Sequence, residues 1–287
     1  MSDPVHVIGA SGRSGGAVLR ALAADAIPAI AVVRSPARLN APALAVRCAD
    51  LGDGATLTAA LADATRIVSC AHARFIPAIL AAAPPDARLV LMGSTRRFTR
   101  WPDAHGAGVI AGEAAFRAGR HAGVLLHPTM IYGATGEDNV QRLAALLRRL
   151  PFVPLPGGGR ALVQPIHQDD VTRAILAALD IAWTRPEVLI LPGPAPVAYA
   201  DFVRAVARAA GLPRPRILAV PGALLRAGAM ASPLLPFLPR VRGAEIRRLM
   251  EDKDFDPAPA IARLGFTPMT LETGLARSRL EDKNLPS

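Results

Sequence analysis

Short, almost wholly apolar runs alternate with longer helical stretches through the first half of the chain, an order that produces a parallel sheet covered by helices on both faces. The runs predict strands over Val5 to Ile8, Ala29 to Val33, Ala45 to Ala49, Arg66 to Cys70, Arg88 to Met92 and Gly123 to His127. Helices are predicted between them, over Ser14 to Ala24, Gly54 to Ala62, Phe75 to Ala83 and Gly108 to Ala118. The expected fold class is α/β, a doubly wound parallel sheet over residues 1–150. From Pro151 the pattern changes. Pro151-Phe-Val-Pro-Leu-Pro156 and Gly157-Gly-Gly159 read as loop, and prolines recur through Pro268. Helical patches at Val171 to Leu179 and Tyr199 to Ala210 then predict a smaller, mostly helical substrate lobe over residues 151–287, with 163–193 returning to the sheet.

The sharpest motif lies between the first strand and the first helix: Gly9-Ala10-Ser11-Gly12-Arg13-Ser14-Gly15-Gly16. In this context Gly9 allows a tight turn, Gly12 lets backbone approach a pyrophosphate, Gly15 permits close packing, and the phosphates sit on the helix N-terminus. The expected fold is therefore a Rossmann dinucleotide-binding domain, with Gly9, Ser11, Gly12, Arg13, Ser14 and Gly15 as its phosphate loop. An acidic residue ending the second strand would bind the ribose hydroxyls of NAD, whereas an arginine accommodates the 2′-phosphate of NADP. The sequence there is Val33-Arg34-Ser35-Pro36-Ala37-Arg38, with Arg13 nearby in the loop. A guanidinium stays charged and grips phosphate with two donors. NADP(H) is the expected cofactor through Arg34 and Arg38, and NAD(H) stays open as the alternative.

These motifs together resemble the short-chain dehydrogenase/reductase superfamily. The Gly-x-x-Gly-x-x-Gly spacing carries the resemblance with Arg34 and Cys48-Ala-Asp50-Leu-Gly-Asp53. Later blocks are similar to its extended and atypical, NAD-dependent epimerase/dehydratase-like branch: His127-Pro-Thr-Met-Ile-Tyr-Gly133, Asn139-Val-Gln-Arg-Leu143, Gln164-Pro-Ile-His-Gln-Asp-Asp-Val171, Asp254-Phe-Asp-Pro257 and Leu264-Gly-Phe-Thr-Pro268. The resemblance implies that Asp50, with Leu51 beside it, meets the adenine. It also implies that the Cys70-Ala71-His72 turn lines the cofactor, and that Pro128 and Thr129 sit near the nicotinamide.

The same resemblance calls for a Tyr-x-x-x-Lys pair on the helix after the fifth strand, with a serine or threonine at that strand's end. Ser94 is in place, with Thr95 beside it, but the pair is absent: no lysine precedes Lys253, and the only tyrosines are Tyr132 and Tyr199. Aligning the helix puts His105 at the tyrosine position and Val109 at the lysine position, with Glu113 four residues on. A histidine titrates near neutrality and can act as acid or base without a lysine. Ser94 and His105, hydrogen-bonded to one another, are the candidate catalytic residues. Two functions follow. One is an NADP(H)-dependent oxidoreductase or epimerase-like enzyme on an apolar carbonyl or hydroxyl substrate. The other is a non-catalytic NADPH-binding accessory or redox-sensing subunit, similar to the accessory subunit of respiratory complex I.

Composition narrows the remaining classes. The 287 residues are 51% apolar, which excludes disorder as a whole-chain description. The net charge is +10 and all but two of the 33 basic residues are arginine. Those arginines are spread in pairs such as Arg96-Arg97 and Arg247-Arg248, without the basic stripe or stacking aromatics of a nucleic-acid binder, so no nucleic-acid partner is expected. His167-Gln-Asp169-Asp170 lacks the rest of a ligand set, so no metal is expected. Cys48 and Cys70, near strand ends, read as buried small apolar side chains in a reducing, cytoplasmic setting. The start Met1-Ser2-Asp3-Pro4 has no basic leader region. The apolar stretch from Ala219 to Val241 is broken by Arg226, Arg240 and prolines. It suggests a greasy substrate lobe from Val220 to Leu238, a protein partner, or a peripheral contact with the inner face of a membrane. The oligomeric state is left open.

Overall fold

The computed structural model describes residues 3–133, 139–150, 152–225 and 247–278. Its strands β1 (Val5–Ile8) and β2 (Ala29–Val33) are buried at every position. Such continuous apolar runs arise where helices cover both faces of a parallel sheet. In chain order follow β3 (Ala45–Cys48), β4 (Arg66–Ser69), β5 (Arg88–Met92) and β6 (Gly123–Pro128). The helices between them are α1 (Arg13–Ala24), α2 (Gly54–Leu61), α3 (Ile76–Ala82) and α4 (Ala104–Ala118). Side chains fix two of the helix starts: Asp53 Oδ1 accepts from Ala55 N at 3.0 Å ahead of α2, and Asp103 Oδ1 from Gly106 N at 2.8 Å ahead of α4.

The remaining elements are β7 (Ile131–Tyr132), α5 (Asn139–Arg149), β8 (Phe152–Pro156), β9 (Leu162–Val163), β10 (Ile166–His167), α6 (Gln168–Asp180), β11 (Pro186–Leu191), β12 (Val197–Ala198), α7 (Tyr199–Ala209), β13 (Arg216–Val220), α8 (Ala258–Leu264) and α9 (Leu271–Arg277). The main sheet has seven parallel strands in the order β11-β6-β5-β4-β1-β2-β3. One apolar layer joins the sheet to α1, α6 and α8 through Val18, Leu22, Ile175 and Leu264. The opposite layer joins it to α2, α3 and α4 through Leu57, Ile79 and Phe116. A third cluster around Val140, Val153, Phe202 and Leu275 holds α5, α7 and α9 together with β8. The chain is thus an α/β Rossmann sheet with a largely helical C-terminal region, as its pattern predicted.

Three local expectations are corrected. Phe152–Pro156 forms a strand paired in parallel with β13, where loop was predicted. Pro154 and Pro156 are tolerated because, two residues apart, their missing N–H groups fall on the same side of a two-stranded edge. Cys48 is exposed instead of buried: β3 is the outermost strand, and most of its residues are open to solvent. Helix α4 begins at Ala104, four residues earlier than predicted, because Asp103 caps it. Of the apolar stretch 219–241, residues 226–241 lie outside the described residues. No described helix is long and apolar enough to cross a membrane.

Candidate functional site

The site follows from the strand order. Moving away from β1, the chain goes first to β2 and β3 on one side and then to β4, β5 and β6 on the other. The crevice at the C-terminal ends of β1 and β4 is the position where such sheets bind ligands. The glycine loop sits there. Gly9 has φ +74°, a left-handed conformation, and Gly12 N donates to Gly9 O at 2.9 Å to close the turn. Gly15 lies against it so tightly that a Cβ would come within 2.2 Å of Gly9 O. Helix α1 has Gly12 at its N-cap, no side-chain cap and no acidic residue in its first turn. Its first amides therefore face the crevice as an anion-binding end.

Around this loop the other expected cofactor residues fall on both sides. Ser11, Gly12 and Arg13 are exposed at the turn. Ser14 is turned away: its Oγ donates to Gln168 Oε1 of α6 at 2.9 Å. Arg34 and Arg38 are exposed beyond the end of β2. Asp50 is exposed, with Oδ1 accepting from Gly52 N at 2.8 Å, and Leu51 is half-buried beside it. On the other side, a Cβ on Gly9 would approach Ala71 N to 3.0 Å, so the Cys70-Ala71-His72 turn abuts the glycine loop. Burial pushes the Cys70 thiol up to about 12, so it stays protonated. At the end of β6, Pro128 O accepts from Thr95 Oγ1 at 3.3 Å. The neighbouring Thr129 hydroxyl is buried with no hydrogen-bond partner among the described residues. An orphaned buried hydroxyl is costly unless a ligand group satisfies it. That orphan and the uncapped α1 amides fit a dinucleotide laid across the crevice, with the exposed Arg34 and Arg38 beyond the end of β2. The loop would hold the pyrophosphate and Thr129 the nicotinamide end. When bound, such a group supplies or accepts hydride.

The candidate catalytic residues lie at the β4 to β6 end. Ser94 caps the short turn Thr95–Phe98: its Oγ accepts from Arg96 N at 3.1 Å. His105, in the first turn of α4, packs edge to face on His72, with ring centroids 4.2 Å apart. The expected Ser94–His105 hydrogen bond is not made, because the serine accepts locally and the histidine ring faces His72. Both imidazoles are held below their ordinary pKa, His72 by burial and then by Arg74 and Arg96, His105 by burial and then by His72 and Arg96 against the opposing pull of Asp103. Each is therefore neutral at pH 7.

What sequence reasoning missed is the support beneath Ser94. His127 on β6 is fully buried, and its Nδ1 accepts from Ser94 N at 2.9 Å. A backbone N–H can only donate, so Nδ1 is unprotonated and Nε2 carries the hydrogen, which it donates to Glu113 Oε2 at 2.8 Å. Burial lowers the His127 pKa, outweighing the upward pull of Glu113, and keeps this neutral tautomer. Burial pushes Glu113 upward, but hydrogen bonds from Arg117 and His127 and the charge of Arg97 bring it below its ordinary range. Its oxygens accept from Arg97 at 2.6 Å and Arg117 at 2.8 Å. From outside, Glu251 clamps the loop after Ser94, accepting from Thr99 Oγ1 at 2.8 Å and Arg100 N at 2.6 Å. An acidic residue on an apolar helix face and a histidine inside an apolar strand were the available signals for the inner network. Pairing them required the fold.

The other motifs are structural in place. Tyr132 is buried, and burial raises its hydroxyl pKa. His167 caps α6 by accepting from Asp169 N at 3.1 Å, and Asp170 Oδ2 accepts from Met269 N at 2.9 Å. Among the described residues no three His, Cys, Asp or Glu side chains group as metal ligands do. A groove of about 430 Å³ lined by Ala17, Arg20, Gln168, Asp169 and Arg173 runs between α1 and α6, along the flank of the helix layer.

Residues 9–109 match the sequence model of a family described as NAD(P)H-binding. No curated protein sequence matches the chain. Among solved structures, an NADPH-dependent quinone oxidoreductase of Escherichia coli complexed with NADPH superposes with a TM-score of 0.73 at 19% identity, covering 95% of this chain and 98% of that one. A UDP-glucose 4-epimerase of Thermotoga maritima with UDP-glucose superposes with a TM-score of 0.74 at 15% identity, covering 96% and 97%. A short-chain dehydrogenase/reductase superfamily protein of Agrobacterium tumefaciens with bound NAD gives 0.71 at 16% identity, covering 97% and 96%. At these identities the likeness defines the fold. Residues 9–109 thus resemble an NAD(P)H-binding domain, and the chain as a whole shares its fold with these oxidoreductases and epimerases.

Proposed function

We propose that the protein is an NADP(H)-dependent oxidoreductase that interconverts a carbonyl and a hydroxyl group, with His105 in place of the missing tyrosine and Ser94 as its partner. The observation that carries this reading is the arginine pair Arg34 and Arg38 beyond β2, beside an uncapped glycine loop, in a chain whose β5 still ends in Ser94. In that structure Ser94 Oγ accepts from Arg96 N, which leaves its own hydrogen to donate to a substrate oxygen. His127 and Glu113 hold the Ser94 backbone. His105, in the first turn of α4, exchanges a proton with the same oxygen. Such general acid–base help contributes typically about 10²–10⁴-fold.

The test is transfer of deuterium from NADPH labelled at the nicotinamide C4 to a panel of carbonyl compounds, read by mass spectrometry. One diastereotopic label is expected to move, with the rate falling roughly 100-fold or more in His105→Phe. Transfer that continues unchanged in both His105→Phe and Ser94→Ala overturns the residue assignment. NADPH binding without transfer to any acceptor favours the accessory or redox-sensing role, which the missing dyad supports.

A further inference from the structure

One face of α4 lies on the turn that follows β4. His105, Gly108 and Gly112 recur along it at helical spacing. Gly112 meets the turn backbone to backbone: a Cβ there would come within 2.1 Å of Ala73 O. One helix turn nearer the start, a Cβ on Gly108 would stand 3.0 Å from His72 Cε1 and from Arg74 Cβ, so the His72 ring lies directly on the helix. Its next neighbour on that face is His105, packed edge to face with centroids 4.2 Å apart and planes at 83°. The His72 ring is also tied to its own turn. Nδ1 accepts from Arg74 N at 3.0 Å, and a backbone N–H can only donate, so in the neutral ring the hydrogen is on Nε2. His105 has no such tie. Among the described residues no hydrogen bond holds its side chain, so the contact with His72 is what fixes its ring.

Resting on His105 as the acid–base group proposed above, we infer that His72 is its positioning residue: the His72 ring, seated between its own turn and α4, holds the imidazole of His105 in one orientation at the head of the helix. Edge-to-face rings favour such an arrangement because the positive edge of one meets the negative face of the other. Without that ring His105 is free to move among its staggered rotamers. A reacting group misplaced by about 1 Å loses up to roughly 100-fold in rate. The contact also covers the His105 ring from water. Burial, then His72, Arg96 and Arg248 disfavour its charged form against the pull of Asp103, and burial, Arg74 and Arg96 act on His72 in the same sense. Both rings are therefore neutral at pH 7, and no charge repulsion opposes their packing. A neutral imidazole has one unprotonated nitrogen, which at His105 is the atom that takes the proton of a substrate hydroxyl.

The experiment follows the full chain, labelled with ¹³C at histidine Cε1, through a pH titration by NMR, unaltered and as His72→Asn and His72→Phe. Deuterium transfer from labelled NADPH is measured on the same three proteins. Asparagine keeps an acceptor for Arg74 N and removes the ring, whereas phenylalanine keeps a ring and removes the acceptor. His105 is expected to titrate below 6.5 in the unaltered chain and in His72→Phe, and its midpoint to rise toward 6.5 in His72→Asn as water reaches the ring. In His72→Asn, kcat is expected to fall at least about tenfold with KM little changed, and in His72→Phe to stay within about threefold of the unaltered value. The pH at which kcat is half-maximal is expected to move with the His105 midpoint in each protein. An unmoved His105 midpoint in His72→Asn, an equal rise in both variants, or a kcat that falls with the loss of the cap and not of the ring overturns the inference. A His105 midpoint that depends on the ring, in a protein whose hydride transfer is absent or unaffected by His72→Asn, upholds the positioning and refutes instead the assignment of His105 as the acid–base group.

Discussion

Replacing Glu113 by alanine is expected to lower the unfolding free energy by about 3–5 kcal/mol, because it strands a buried histidine and two arginines without their shared acceptor. The carboxylate is only 4% exposed and accepts from Arg97, Arg117 and His127. At this chain length the loss corresponds to a drop of roughly 10 °C in Tm, read by calorimetry or circular dichroism. Glu113→Gln keeps an acceptor for His127 Nε2 and is expected to recover part of the loss. A change below about 1 kcal/mol, the worth of a surface pair, would mean that the network does not hold the β5–α4 junction.

The same network sets the acid limit. His127 has a folded pKa below its ordinary 6.5, so its contribution is complete above pH 6.5 and is lost as pH falls from there toward the folded value. Glu113 has a folded pKa below its ordinary 4.5; its contribution is complete above pH 4.5 and declines below it. Stability is therefore expected to fall in two stages on acidification, the histidine stage first. Protonating His127 also removes the acceptor for Ser94 N, which couples the first stage to the geometry of the candidate catalytic serine.

The second large effect is at the glycine loop. In Gly15→Ala the new methyl would stand 2.2 Å from Gly9 O, inside the backbone itself, so the turn must open. Overpacking of this kind costs about 3 kcal/mol. Borne by the bound state, that is a loss of roughly 100-fold in affinity for NADPH and NADH alike. Affinity within about threefold of the unaltered chain would place the nucleotide elsewhere.

How much of this was legible beforehand depended on the range of each interaction. Strands β1, β2 and β4 to β6 were readable because burial on both faces leaves an apolar run that periodicity registers directly. The glycine loop was readable because its geometry is set within a few residues. His105 and Ser94 were found through position relative to those elements. What joins them was not legible: Glu113 and His127 are separated by a turn and a strand, and His72 meets His105 only because α4 packs against the turn after β4. Local chemistry misled where tertiary context overrode it. Pro154 and Pro156 read as loop, yet the segment pairs in parallel with β13. Cys48 read as buried, yet the strand order puts β3 at the rim.

The central claim is that this crevice binds a dinucleotide and that Arg34 selects the phosphorylated one. Equilibrium titration of NADPH and NADH, by nucleotide fluorescence, into the unaltered chain and Arg34→Ala tests it most directly. A charge-assisted contact is worth about 1.5–3 kcal/mol, so NADPH is expected to bind at least roughly tenfold tighter than NADH, with Arg34→Ala erasing that margin and leaving NADH unchanged. Equal affinities in the unaltered chain, or a margin that survives the loss of Arg34, would contradict it.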